Sequence, residues 1–158
     1  MSARQRDLTP SIVAGTLAAL WLPLTGLAVA MGWRSTFQID HPTDSMWADF
    51  AAHGSAISGP LPPHIVMALA ALASRRPNRV GTIATAIIGV LGILLIGNSI
   101  AGAFMADTTY TSRPIIITGA LLYLAFGLAF TATATRALRQ HRQNQKAATT
   151  STAATPDK

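Results

Sequence analysis

Chemically capable side chains are few in this sequence, and most of them fall in two places. The stretch 34–57 holds Asp40, His41, Asp44, Asp49 and His53, imidazole and carboxylate groups of the kind a divalent metal accepts. If this stretch is helical near its end, Asp49 and His53 lie one turn apart on the same face. The spacing matches no motif with built-in metal geometry, and Asp/His mixtures are common in solvated loops, where the aspartates cap helices. The second place is His64, a single imidazole inside apolar sequence. A helix ending near Ser74 at the membrane surface carries it about 18 Å into the hydrocarbon, a depth at which an ionisable group marks a functional site by default. The bland alternative is a neutral ring bonded to a carbonyl left free by Pro62 and Pro63.

Other polar residues carry less. Asn98, with Ser99 beside it, is the polar point of a long apolar run and is read as an interhelical hydrogen-bonding group or an ion contact. Trp21 and Tyr123 are read as packing residues with a bonded polar tip. Ser55 and Ser58 stand near His53, but Ala56-Ile57-Ser58-Gly59 lacks the first glycine of a G-x-S-G motif. No later span offers a histidine as base, so nucleophilic catalysis lacks its parts. The chain has no cysteine, which removes disulfides, thiolate catalysis and cysteine metal sites. No P-loop or dinucleotide fingerprint is present, and nothing calls for a bound cofactor.

These groups are set in a chain of 158 residues that is 50% hydrophobic, 11% charged and without glutamate. Ordinary soluble domains are about 25% charged, so this composition points to one compact membrane unit. The net charge of +6 is not read as a nucleic-acid footprint, because the basic residues flank apolar segments instead of lining a polar face with aromatics.

Val80 to Met105 contains no ionisable side chain and is long enough to cross a bilayer with tilt to spare. Wound as a helix, it brings Gly81, Thr85, Gly89, Gly92, Ser99 and Ala103 within about 80° of one another. Such a stripe of small residues lets a neighbouring helix approach closely in lipid, where no hydrophobic effect drives association. Gly119, Tyr123 and Gly127, at i, i+4 and i+8, give the last span a similar face.

The other spans follow from composition and breakers. Thr9 as N-cap with Pro10 behind it starts a first span, about 10–33, interrupted by Pro23. Ala28-Val29-Ala30 also matches a signal-peptide cleavage pattern, but the apolar stretch exceeds the ~7 to 15 residues of a typical h-region. In the loop 34–57, Thr43 or Asp44 caps a short interfacial helix ending near His53, with Met46, Trp47 and Phe50 at headgroup level. The second span, about 58–74, is short: only a dozen residues follow Pro62-Pro63, so the non-helical stretch 58–63 must complete the crossing under the shield of other segments. The last span covers about 114–135, and the basic tail 137–158 is expected to be disordered.

Charge then sets the topology. With 58–74 crossing, Arg4, Arg6, Arg75, Arg76, Arg79, Arg136, Arg139, Arg142, Lys146 and Lys158 fall on one side and only Arg34 and Arg113 on the other, a positive-inside pattern. The sequence therefore predicts an all-helical four-span bundle in the plasma membrane, with residues 1–9 and the tail both cytoplasmic. In function it points away from an enzyme and towards an accessory or assembly subunit that meets a membrane-protein partner, or a second copy, through the Gly81 stripe. The competing class is a carrier of a small molecule, ion or proton using His64, Asn98 and the outer-loop carboxylates. A polar cavity joining His64 to the outer loop would separate the two.

Overall fold

In the computed structural model the chain is all-helical, with placement described for residues 7–33, 45–105 and 111–153. Five helices follow in order: α1 (Thr9–Met31), α2 (Met46–His53), α3 (Leu61–Ala73), α4 (Arg79–Met105) and α5 (Arg113–Ala153). Three of them, α1, α4 and α5, are long and apolar enough to cross a membrane, whereas α3 is apolar but has 13 residues. Their outward faces carry Leu22, Ile83, Val90, Ile93, Leu94, Leu121 and Leu128, each more than half exposed. Water would not tolerate so continuous an apolar surface, and lipid would. The protein is a membrane protein.

α4 packs most extensively on α5 and α1 on α3, while α3 also touches α4 and α1 also touches α5. The stripe on α4 faces this interior. Gly81, Thr85, Gly92 and Ser99 are buried, and Val90 is exposed. At Gly92 an added Cβ would lie 2.8 Å from the Gly127 carbonyl oxygen and 2.6 Å from Thr131 Oγ1. Only hydrogen fits between the two backbones there. At Gly89 the nearest atom to an added Cβ is Ala134 Cβ at 3.2 Å, a looser contact. Beside this seam, Leu17, Met67, Ile88 and Phe130 form an apolar core with almost no exposure.

One end of the molecule is basic and tied together by hydrogen bonds. Arg75 Nε donates to Ser11 Oγ at 3.0 Å, and Ser11 Oγ donates in turn to the Ala71 carbonyl at 2.7 Å. Arg136 Nε lies 3.9 Å from Asp7 Oδ2. The start of α1, the turn between α3 and α4, and the middle of α5 therefore share this end. The start of α1 differs from expectation. Thr9 is the first helical residue, and Asp7 Oδ1 accepts its N–H at 3.0 Å, so a carboxylate supplies the cap. An anionic group at a helix N-terminus is also favoured by the helix dipole.

At the far end, α2 is capped by Ser45, whose hydroxyl accepts the Ala48 N–H at 3.3 Å, in place of Thr43 or Asp44, which lie outside the described residues. Its aromatics divide. Trp47 is 51% exposed, but Phe50 is 1% exposed and packs with Ala28 and Ile57 between the end of α1 and the start of α5. α2 is thus anchored in the helix assembly by one ring. α5 continues as helix to Ala153, past the point where disorder is expected, and residues 154–158 lie outside the described residues. The physical reason is propensity: Arg136 to Ala148 is dominated by Ala, Leu, Arg, Gln and Lys, all strong helix formers, which extend an existing helix at little cost.

Candidate functional site

The segment Gly54–Pro60, between α2 and α3, is non-helical and folds inward among the long helices. Gly54 makes the entry turn at φ 77°, where an added Cβ would lie 2.6 Å from the Ser58 carbonyl oxygen, so no other residue fits without moving the backbone. Ser55 N–H donates to the Ser58 carbonyl at 2.6 Å, and Ser55 Oγ accepts the N–H groups of Ile57 and Ser58. A side chain has replaced helical partners.

Non-helical backbone buried among apolar helices must be satisfied inside the protein. α1 and α5 do this for the segment. Trp21 Nε1 donates to the Gly59 carbonyl at 2.8 Å, and the Gly59 N–H donates to Tyr123 Oη at 2.7 Å. Thr25 Oγ1 donates to Ser58 Oγ at 3.0 Å. Gly119 on α5 lets the Ala56 carbonyl come so close that an added Cβ would collide with it.

The start of α3 solves the same problem covalently. Helix bonds leave the N–H groups of the first three helical residues without partners. Here those residues are Leu61, Pro62 and Pro63, of which two have no N–H to satisfy. The helix accordingly begins at Leu61, with the prolines inside its first turn, where the sequence alone suggests a start after them.

His64 stands one turn further on, 4% exposed. Nδ1 lies 2.8 Å from the Pro60 carbonyl, which only accepts, so Nδ1 carries the proton and Nε2 is the acceptor. Nε2 faces Tyr123 Oη at 3.4 Å, and the rings of Tyr123 and Trp21 lie 6.2 and 6.1 Å from the imidazole. The acceptor is the Pro60 carbonyl, and the Gly59 N–H, the Tyr123 hydroxyl and His64 form one directed series.

Between this segment, α3, α4 and α5 lies a cavity of about 150 Å³. Its wall includes His53, Ser55, Ser58, His64, Asn98, Ser99 and Tyr123, together with apolar Met67, Leu95, Ile116 and Ala120. The sequence-selected residues thus part company. His64, Asn98 and His53 share one cavity. Asp49 is buried at 3% exposure beside Phe50, whereas His53, one turn on, is exposed. Among the described residues no three His, Cys, Asp or Glu side chains come together, and Asp40, His41 and Asp44 lie outside them. The interhelical bond expected of Asn98 is not formed among the described residues, because its side chain is turned off the seam towards the cavity mouth.

Four groups hold the segment: the sequence marks Trp21 and Tyr123 as packing residues with a bonded polar tip and Gly119 as a close-approach position, without showing that they meet this segment, and it gives no sign of Thr25. Their signal was present in part, since an indole N–H or a phenol hydroxyl in the middle of an apolar span needs a buried partner. The chain matches no protein-family model, and no curated protein or solved structure gives a match.

Proposed function

We propose that this membrane protein is a small-molecule carrier of the plasma membrane, with the cavity beside His64 as its outward-facing site. The observation that carries the reading is that the cavity joins His64 to His53 and Ser55, residues of the outer connection. A non-helical segment at membrane depth that lines a cavity is a recurring element of carriers. Below it, the core of Leu17, Met67, Ile88 and Phe130 would form the seal towards the other side. In this reading the chain crosses four times as a helical bundle. The segment Gly54–Pro60 and α3 together make the second crossing, and the basic end, with both termini, is cytoplasmic.

The accessory-subunit reading loses its main support, because the Gly81 stripe is covered by α5 of the same chain. It retains one observation of its own: at Gly26 and Gly97 an added Cβ would meet nothing within 4 Å, which leaves close-approach points on the lipid side for a partner or a second copy.

The test uses the natural absence of cysteine. Ala120→Cys, in the cavity wall about 10 Å below the start of α5, should react with a small membrane-impermeant thiol reagent added to intact cells. Thr85→Cys, in the buried basic half, should not. An unreactive Ala120→Cys in a folded protein would remove outward access and with it the carrier reading.

A further inference from the structure

We infer that the ligand of this cavity is a neutral molecule of about one six-membered ring, carrying an oxygen that accepts a hydrogen bond from Asn98. The inference rests on the carrier reading and names its ligand class.

Size comes first. A space of about 150 Å³ accommodates a benzene-sized body. Charge comes next: among the described residues no Asp, Glu, Lys or Arg lines the cavity, and an ion brought there would lie at membrane depth without a counter-charge from them. His64 does not supply one, since its Nδ1–H is held by the Pro60 carbonyl and its Nε2 faces the Tyr123 hydroxyl. His53 is exposed and stands at the rim.

Hydrogen-bond counting then gives the polar requirement. Asn98 forms no side-chain hydrogen bond among the described residues, so both its carboxamide N–H groups and its carbonyl oxygen are open. Thr25, Ser55 and Ser58 have three hydroxyl protons, and the two bonds among them use two: Thr25 to Ser58, and one between Ser55 and Ser58. One serine proton is left over at the cavity wall. Asn98 and this serine can both donate, so a ligand's acceptor oxygen, such as that of a ketone, can be met from two sides, whereas a ligand donor finds only the Asn98 carbonyl. The rest of the wall, Met67, Leu95, Ile116 and Ala120, offers apolar contact to a ring. His53, Pro63 and Asn98 are the exposed members of the lining, so the mouth lies between the starts of α3 and the outer part of α4.

The experiment follows the ring NMR signals of His64 in full-length protein in nanodiscs, titrated separately with cyclohexanone, cyclohexane, cyclohexylamine and cyclohexanecarboxylate. Cyclohexanone should give a saturable shift, cyclohexane one at least about fivefold weaker, and the two ions none at matched concentration. Asn98→Leu should weaken cyclohexanone by about fivefold. Ala120→Leu, which fills the space, should abolish saturation and so separates binding from partition into lipid. An ion that binds as tightly as the ketone, a hydrocarbon that matches it, or an unchanged Asn98→Leu would each overturn the ligand class while leaving a ligand site. No saturable response to any of the four would overturn the carrier reading itself.

Discussion

Trp21 and Tyr123 hold one residue from two helices: the indole N–H donates to the Gly59 carbonyl at 2.8 Å, and the phenol oxygen accepts the Gly59 N–H at 2.7 Å. The non-helical segment is therefore clamped to α1 and α5 at once, and the cavity keeps its shape only while both bonds last. Tyr123→Phe keeps the ring and removes the acceptor, leaving a buried N–H without a partner. A loss of about 1–3 kcal/mol is expected, seen as a lower apparent Tm in detergent. Adding Trp21→Phe should cost less than the sum of the two single changes, because both act on Gly59. An unchanged Tm for Tyr123→Phe would show that the segment does not depend on this clamp.

The seam between α4 and α5 allows a sharper choice of variant than spacing does. Gly89 and Gly92 are equivalent members of the stripe by sequence, yet their surroundings differ. A Cβ at Gly92 would press on the Gly127 carbonyl oxygen and on Phe130 Cβ, both at 2.8 Å, whereas at Gly89 it would meet one alanine methyl at 3.2 Å. Gly92→Ala should lower stability by about 1–3 kcal/mol, more than Gly89→Ala. Val90→Leu, on the exposed face, should leave it unchanged. The ranking of the three apparent Tm values in one detergent checks the seam, and a Gly89→Ala loss equal to that of Gly92→Ala would contradict it.

What was readable in advance follows from how local each signal is. Three long apolar helices announce themselves through hydropathy, and the small-residue stripe is a matter of helical angle alone. The inward segment is only half legible: Pro62-Pro63 shows where helix bonding must stop, and membrane physics says that the exposed backbone needs cover. That Trp21, some 38 residues earlier, and Tyr123, some 64 later, provide it is a long-range fact without a local pattern. Asn98 misled for the same reason. A carboxamide in a span usually finds another helix, and only the packing of α3 against α4 shows that this one borders a cavity. The tail was misread because its composition suits either state, and attachment to a formed helix decides between them.

At the basic end, Asp7 gives a pH dependence. Its carboxyl is held below the ordinary carboxylate range by a hydrogen bond from the Thr9 side chain, helped by the Thr9 backbone N–H and by Arg136. A depressed folded-state value means that the ionised cap stabilises the protein above the ordinary range and that this contribution fades as pH falls through it. Asp7→Ala should cost about 1 kcal/mol at pH 7, and the difference from the unaltered chain should shrink below about pH 4. Arg136→Ala should matter less, since its side chain is 75% exposed and 3.9 Å away. A gap between Asp7→Ala and the unaltered chain that stays constant down to the acid limit of folding would remove the role of the charge.

The last prediction concerns how many times the chain crosses. Arg75 reaches Ser11, and Arg136 reaches Asp7, so the turn at Asn78 lies at the same end as the start of α1 and the middle of α5. With α1 crossing once, the proposed topology has Gly54–Pro60 and α3 return the chain through the membrane, although α3 alone spans only about 20 Å. Three exposed positions report on it: Ala52 and Ser112 at one end and Asn78 at the other. Single cysteines at Ala52 and Ser112 should react with an impermeant thiol reagent on intact cells, while Asn78→Cys should react only after the membrane is opened. The basic residues make the sign of the result firm, because Arg75, Arg76 and Arg79 flank Asn78 and their translocation is strongly disfavoured. Labelling of Asn78→Cys from outside, with Ala52 and Ser112 protected, would mean that the basic end faces outward. The cavity beside His64 would then open on the opposite side from the one proposed, and the carrier reading would fall with the topology.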